Sequence, residues 1–462
     1  MTFTQQTNQQ LFDAFKRQFD EFHNGLPSRN VASKTLEIAT EPLPENGSEF
    51  SELVNYIDSA IQPNLSASNG GRYWGFVTGG ANPVATYADW LVTTYNQNVA
   101  KGGDSIASSI ERQALSWLCQ LFELPDSFKG IVTTGATSAN LLGAFTARQF
   151  TGMQQGINVA LEGMSQLDVA IFSATPHASM VKSLGMAGFG QNSWHKVDCL
   201  AESEAMDVNS LEQQLVIMKA ENSPKSIIVI ASAATVTGTD YDDLIAISNL
   251  CKRYNAWLHV DAAFGIFERL MHGAEGKTKG LEFADSITLD CHKWLNVPYD
   301  CGVFLTQHQG LLQASCEVDA PYMMSDANEV AFMSLGIENS RRFRAFPVWA
   351  TLKAYGKEGI KAQVSRNVAQ AKQLAQWLEA SDLYELVKPC ELNVVLFKPK
   401  ANLAEESLTA MSANECMLKL NQTGEIFFTP GVWNGEPIIR AAISNWVTTE
   451  EDMQTAIRAL GH

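Results

Sequence analysis

The chain has 462 residues, enough to bury a large core and to divide into two or three structural units. Hydrophobic residues make up 45% and charged residues 18%, ordinary values for a folded globular protein. The net charge of −17 argues against nucleic acid or an anionic membrane surface as the main partner, and no apolar run approaches a membrane span.

The first 22 residues lack the basic start and apolar stretch of a secretory signal. They read instead as an amphipathic helix with Leu11, Phe12, Phe15, Phe19 and Phe22 largely on one face, a surface for its own chain or for a partner subunit. Residues 1–75 are expected to form a helical N-terminal segment. Further on, Thr133–Asn140 (TTGATSAN) is a turn of small residues feeding a helix, where free amide hydrogens favour a phosphate.

Strands and helices then alternate. Residues 168–173 and the β-branched run 226–232 read as strands, as do 256–260, 287–289 and 302–305, with helices at 177–186 and 242–254 between them. This pattern predicts an α/β domain around a mainly parallel sheet, over residues 76–345. From about residue 346 a long helical stretch (Val348, Leu352, Val364, Val368, Leu374, Leu378) precedes strand candidates at 391–397 and 437–443. Residues 346–462 are therefore expected to form a small α+β domain.

Eight cysteines are scattered without a CxxC pair, which points to reduced thiols and a cytoplasmic location; no histidine or cysteine spacing matches a metal site. Cys291 reads as a small buried hydrophobe close to the chemistry.

In a parallel sheet, ligands bind beyond the carboxyl ends of the strands, and the informative polar residues fall there. Asp261 follows Leu-His-Val, and a carboxylate at the end of a buried strand needs a partner such as a protonated pyridine nitrogen. Lys293 closes another strand between a histidine and a tryptophan. An amine stripped of hydration among apolar neighbours is suited to a Schiff base with an aldehyde. His177 could stack on an aromatic ring, and Thr235 follows a third strand. Taken one at a time, each residue has a structural explanation: a helix cap, a satisfied histidine, a surface amine. Taken together, phosphate turn, histidine, aspartate and lysine fit one ligand, pyridoxal phosphate (PLP).

The sequence resembles the PLP-dependent group II amino-acid decarboxylases, which include aromatic-amino-acid and glutamate decarboxylases, from about Gly71 to Trp446. The likeness rests on RYWGFVTGG with ADW, TTGATSANLLGAFTAR, the histidine of PHASM, HVDAAFG, DCHKW, RRFRAF and the arginine of PIIRAAISNW. It implies a type I aminotransferase-like fold with a seven-stranded large-domain sheet, working as a homodimer with the active site at the subunit interface. It implies Lys293 as the internal aldimine lysine, Asp261 as partner of the pyridinium nitrogen and His177 as the ring-stacking histidine. Ala136 and Thr137 match the phosphate turn with His292 close by, Thr235 a cofactor-contacting threonine, and Ala263 a residue packed on the ring. Thr78, Gly79 and Arg440 are the candidate substrate residues. The implied reaction is decarboxylation of an L-amino acid to an amine and CO2, a carboxy-lyase activity.

The pattern departs from the family in one informative place. In those decarboxylases a mobile loop before the RRFR segment carries a tyrosine that helps protonate Cα. Here residues 320–341 are noticeably shorter, and their only tyrosine, Tyr322, matches a position before that loop. The proton donor is therefore open among His292, the neighbouring subunit and water. Aminotransfer, oxidative deamination or another carbon–carbon lyase reaction stays as the alternative outcome. Asp290, where many family members have asparagine, and the Gly79-Gly80 turn are further differences near the pocket.

Overall fold

In the computed structural model the described residues are 7–33, 36–220, 226–317, 330–400 and 411–461. They form two compact units: Gly79–Ala369 with Glu391–Val394, and Met1–Thr78 with Gln370–Cys390 and Val395–His462.

The larger unit is built on a seven-stranded sheet. In chain order its strands are β1 (Lys129–Thr133), β2 (Val169–Ser173), β3 (Trp194–Lys196), β4 (Ser226–Ser232), β5 (Trp257–Asp261), β6 (Ser286–Asp290) and β7 (Gly302–Thr306). The spatial order is β1-β7-β6-β5-β4-β2-β3, and only β7 runs antiparallel to its neighbours. This is the mainly parallel sheet expected from the sequence. Every residue of β4 to β7 is buried, as a sheet covered by helices on both faces requires. Leu141, Ala144 and Ala147 of the Ala136–Gln154 helix pack on Ile171, Ile228, Ile230 and Trp257.

The smaller unit carries a four-stranded sheet, β8 (Tyr384–Leu386), β9 (Val394–Pro399), β10 (Thr429–Trp433) and β11 (Glu436–Ala442), in the order β10-β11-β9-β8. Trp74, Leu374, Leu378, Phe397, Phe428 and Ile439 fill its core. The N-terminal helix Asn8–Gly25 starts with a capping box between Thr7 and Gln10 and has no buried residue. Leu11, Phe12 and Phe15 on it are exposed. The long helix read from residue 348 onward spans Ala345–Ala380 but is broken at Gly356, whose φ of 60° no helix accommodates. No described helix is long and apolar enough to cross a membrane.

Candidate active site

Four polar positions of the larger unit emerge together at the carboxyl ends of its strands. Asp261 is the last residue of β5, Asp290 of β6 and Thr133 of β1, while His177 caps the Ala178–Met186 helix that follows β2. Lys293 lies in the single-turn helix Cys291–Trp294 directly after β6. β5 and β6 are hydrogen-bonded neighbours, so carboxylate and amine leave the sheet from adjacent strands.

Asp261 is 8% exposed, and both of its oxygens are held. Asn140 Nδ2 donates to Oδ2 at 3.0 Å and the Ala263 amide to Oδ1 at 3.2 Å. These donors offset the cost of burying the carboxylate while each oxygen keeps lone-pair capacity for a further donor. Ala263 thus contributes its backbone to the aspartate.

Lys293 does not stand among purely apolar groups. Its Nζ is 3.1 Å from Asp290 Oδ2 and 5.9 Å from the centre of the Phe264 ring. Asp290 Oδ1 meanwhile accepts the Ala136 amide, the first of the Ala136–Gln154 helix, at 2.6 Å. A carboxylate therefore caps the helix start that the sequence marks for a phosphate. Two glycines make this arrangement possible. A Cβ on Gly302, which pairs with both Thr133 and Asp290, would lie 2.5 Å from the Gly135 backbone, so only glycine lets the turn fold over β7. A Cβ on Gly79 would collide with the Lys293 carbonyl and the Asn296 amide.

His292 Nδ1 accepts the Cys301 amide at 3.2 Å, which leaves the proton of a neutral ring on Nε2. Nε2 is 3.6 Å from Asp290 Oδ2, too long for a hydrogen bond. Burial, ahead of the opposing pull of Asp290, holds the His292 pKa below the ordinary histidine value. Cys291 is wholly buried, and the Cys301 thiol is pushed up by its hydrogen bond with Cys291 and by burial. Neither is poised as a nucleophile.

His177 is exposed, and its Nδ1 lies 2.7 Å from Ser179 Oγ. Thr235 is 4% exposed, and its Oγ1 accepts the Asp240 amide at 3.0 Å while keeping its own hydrogen to donate. Thr137 is half-buried in the first turn after Gly135. Thr78 and Arg440 belong to the smaller unit, whereas Gly79 belongs to the larger one. Tyr322 lies outside the described residues.

Reading the sequence alone missed Asn140 as a partner of Asp261, together with Ser179 and His259. One signal was there. His259 and Asp261 are two apart on a strand and share a face, and Gly143 follows Asn140 by three on a helix, leaving room for an imidazole.

The groups present suit PLP: an amine, a carboxylate with both oxygens oriented, an exposed histidine and a helix start. One feature opposes it, since a phosphate at that helix start would share the Ala136 amide with Asp290.

Comparison with known proteins agrees. The family model described as pyridoxal-dependent decarboxylase conserved domain matches residues 33–400. An aromatic-L-amino-acid decarboxylase of Bacillus atrophaeus is 29% identical over 426 residues, covering 90% of this chain and 85% of that protein. An L-2,4-diaminobutyrate decarboxylase of Acinetobacter baumannii is 28% identical over 332 residues, 68% of this chain and 64% of that one. Among solved structures, Oryza sativa TDC with PLP and tryptamine superposes with a TM-score of 0.87 at 22% identity, covering 100% of this chain and 98% of the other.

Proposed function

The chain belongs to the pyridoxal-dependent decarboxylase family, and from that premise we propose how its own residues divide the work of decarboxylating an L-amino acid to an amine and CO2. PLP is its cofactor and carboxy-lyase chemistry its reaction class. The observation that carries the assignment of roles is that Lys293 and Asp261 leave adjacent strand ends, each with its reactive group held by named partners.

Bound at this site, the cofactor supplies the electron sink that allows the Cα–carboxylate bond to break. Lys293 provides the amine that carries it. Asp261 holds a proton at its ring nitrogen, and the Asn140 and Ala263 donors fix the direction in which the carboxylate points. His177 covers one ring face. Thr235 donates its hydroxyl hydrogen, and Ala136, Thr137 and His292 surround the phosphate end. Thr78, Gly79 and Arg440 are assigned to the substrate. His292, a group of a second subunit or water returns the proton to Cα.

A homodimer in a reducing cytoplasm completes the proposal. The exposed apolar residues Leu11, Phe12 and Phe15 support a subunit contact, and eight free cysteines suit a reducing compartment.

The test is a panel of amino acids that includes aromatic residues, histidine and 2,4-diaminobutyrate, with CO2, ammonia, peroxide and keto acid measured together. The relatives' names set that range. CO2 with an equivalent of amine is the expected result. Ammonia or keto acid without CO2 would overturn the role assignment in favour of deamination or aminotransfer.

A further inference from the structure

A buried polar chain runs from the core of the sheet to both Asp261 and His177. Trp257 Nε1 donates to Ser286 Oγ at 3.1 Å, and Ser286 Oγ lies 2.8 Å from His259 Nδ1. His259 Nε2 is 3.0 Å from Asn140 Oδ1. The Asn140 amide nitrogen then reaches Asp261 Oδ2 at 3.0 Å and Ser179 Oγ at 3.1 Å. Ser179 Oγ lies 2.7 Å from His177 Nδ1, which also receives the Ser179 amide at 3.2 Å. Trp257, Ser286 and Asn140 are fully buried, His259 is 1% exposed and Ser179 8%.

The acceptor-only Asp261 carboxylate sets the directions: it faces the amide nitrogen of Asn140, which turns the Asn140 carbonyl oxygen toward His259 Nε2. His259 Nε2 therefore donates, and in a neutral ring Nδ1 is left to accept the hydroxyl hydrogen of Ser286, whose oxygen accepts the Trp257 indole N–H. The two hydrogens of the Asn140 amide nitrogen go to Asp261 and Ser179. His177 Nδ1 accepts the Ser179 amide and with it the Ser179 hydroxyl hydrogen, which leaves the ring hydrogen of His177 on Nε2. Burial supports the neutral form of His259, whose pKa is lowered to about 4 against the opposing pull of Asp261.

We propose that Asn140 is a positioning residue that aims the Asp261 carboxylate and, through Ser179, locks His177 as the Nε2–H tautomer. His177 is then a hydrogen-bond donor toward whatever lies beyond its ring, not a base. The inference rests on reading Asp261 and His177 as cofactor-facing groups, but its main test needs no cofactor.

That test is long-range 1H–15N correlation on the cofactor-free full chain with 15N-labelled histidine, the signals assigned through His177→Gln and His259→Gln. Both rings should show hydrogen on Nε2 and none on Nδ1 at neutral pH. Ser179→Ala should release His177 into a mixture of tautomers with His259 unchanged, and Ser179→Thr should restore the lock. Asn140→Leu should disturb the His177 signals through Ser179, which contacts both. It should also weaken PLP binding about tenfold, the effect of losing one hydrogen bond to a charged group. A wild-type His177 with hydrogen on Nδ1, or one indifferent to Ser179→Ala, overturns the proposal even if Asn140→Leu does not fold. A locked tautomer in a protein that fails to bind PLP would uphold the lock and refute the cofactor reading instead.

Discussion

Asp290 and Lys293 face each other across one turn, with Oδ2 3.1 Å from Nζ, while the other carboxylate oxygen holds the Ala136 amide. One side chain thus links the lysine to the start of the helix proposed for the phosphate. Two negative groups at one helix start repel each other, while removing the charge weakens the hold on Lys293. The repulsion is the larger effect for cofactor affinity, because a like charge within a few ångströms costs on the order of 1–4 kcal/mol outside bulk water. Asp290→Asn is therefore expected to bind PLP about tenfold more tightly. Fluorescence titration of the cofactor-free protein checks this. Unchanged or weaker binding would place the phosphate away from Ala136.

Lys293→Ala removes the amine and should abolish the visible absorbance that appears when PLP is added, and with it at least about 10³-fold of the activity. The far-ultraviolet circular dichroism should match the wild type, since the Cys291–Trp294 turn is held by backbone contacts to Cys301. A variant that keeps the absorbance band would assign the amine role to another lysine.

Gly79→Ala tests a close approach within the larger unit. The added methyl would strike the Lys293 carbonyl, a backbone group that cannot swing aside, and the Asn296 side-chain amide that donates to it. Overpacking of this kind costs roughly 1–3 kcal/mol, here by shifting the turn that carries the amine. The expected outcome is a large loss of activity accompanied by a fall in melting temperature. Full activity would show that the segment can move away from Lys293 without consequence.

How much of this was legible beforehand depended on whether the signal was local. The β-branched run of β4 and the short apolar run that opens β5 mark buried strands by composition, and Asp261 and Lys293 stand out because charged residues close such runs. β1 did not stand out, because KGIVT is short, carries a glycine and alternates no more than a loop would. β10 contains Pro430 and Gly431, and β3 has three residues. The antiparallel sense of β7 and the break at Gly356 come from long-range packing and backbone angle, which no window of sequence encodes. Asn140 was hidden for a related reason. Its partners Asp261, Ser179 and His259 come from separate stretches that meet only in the fold.

The RRFRAF segment, first noted as a family resemblance, acquires a structural role for its leading arginine. Arg341 donates to both oxygens of Glu111, at 2.7 and 3.2 Å, and to the Val132 carbonyl at 2.7 Å, while Glu111 accepts the Val132 amide at 3.0 Å. β1 is an edge strand, and this buried pair satisfies the backbone N–H and C=O of its Val132. Arg341→Met leaves Glu111 charged and unpaired, which should cost about 3–5 kcal/mol in urea unfolding. The double variant with Glu111→Gln should recover part of that loss. Equal destabilisation of single and double variants would mean the arginine acts through packing alone.

His259 gives the fold a measurable pH signature. Burial, opposed by Asp261, lowers its folded-state pKa from 6.5 to about 4. The unfolded chain therefore takes up a proton at higher pH than the folded one. The resulting stability is fully present above pH 6.5 and is lost as pH falls toward 4. At about 1.4 kcal/mol per pKa unit its size is on the order of 3 kcal/mol. Asp242 acts in the opposite sense. Burial raises its carboxyl from 3.8 to about 6, so the folded protein gains protons there before the unfolded one, and the two slopes oppose each other between roughly pH 6 and 4. The wild-type profile alone therefore conceals the effect, and comparison with His259→Gln exposes it. The variant should be the less stable protein at pH 7, where it lacks the imidazole bonds to Ser286 and Asn140. Its deficit should shrink as pH falls from 6.5 to 4.5, because only the wild type is then losing the histidine contribution. Urea unfolding at a series of pH values measures that difference. A deficit that stays constant across the series would mean that His259 is not held neutral, and the assignment of its Nδ1 as an acceptor from Ser286 would fall with it.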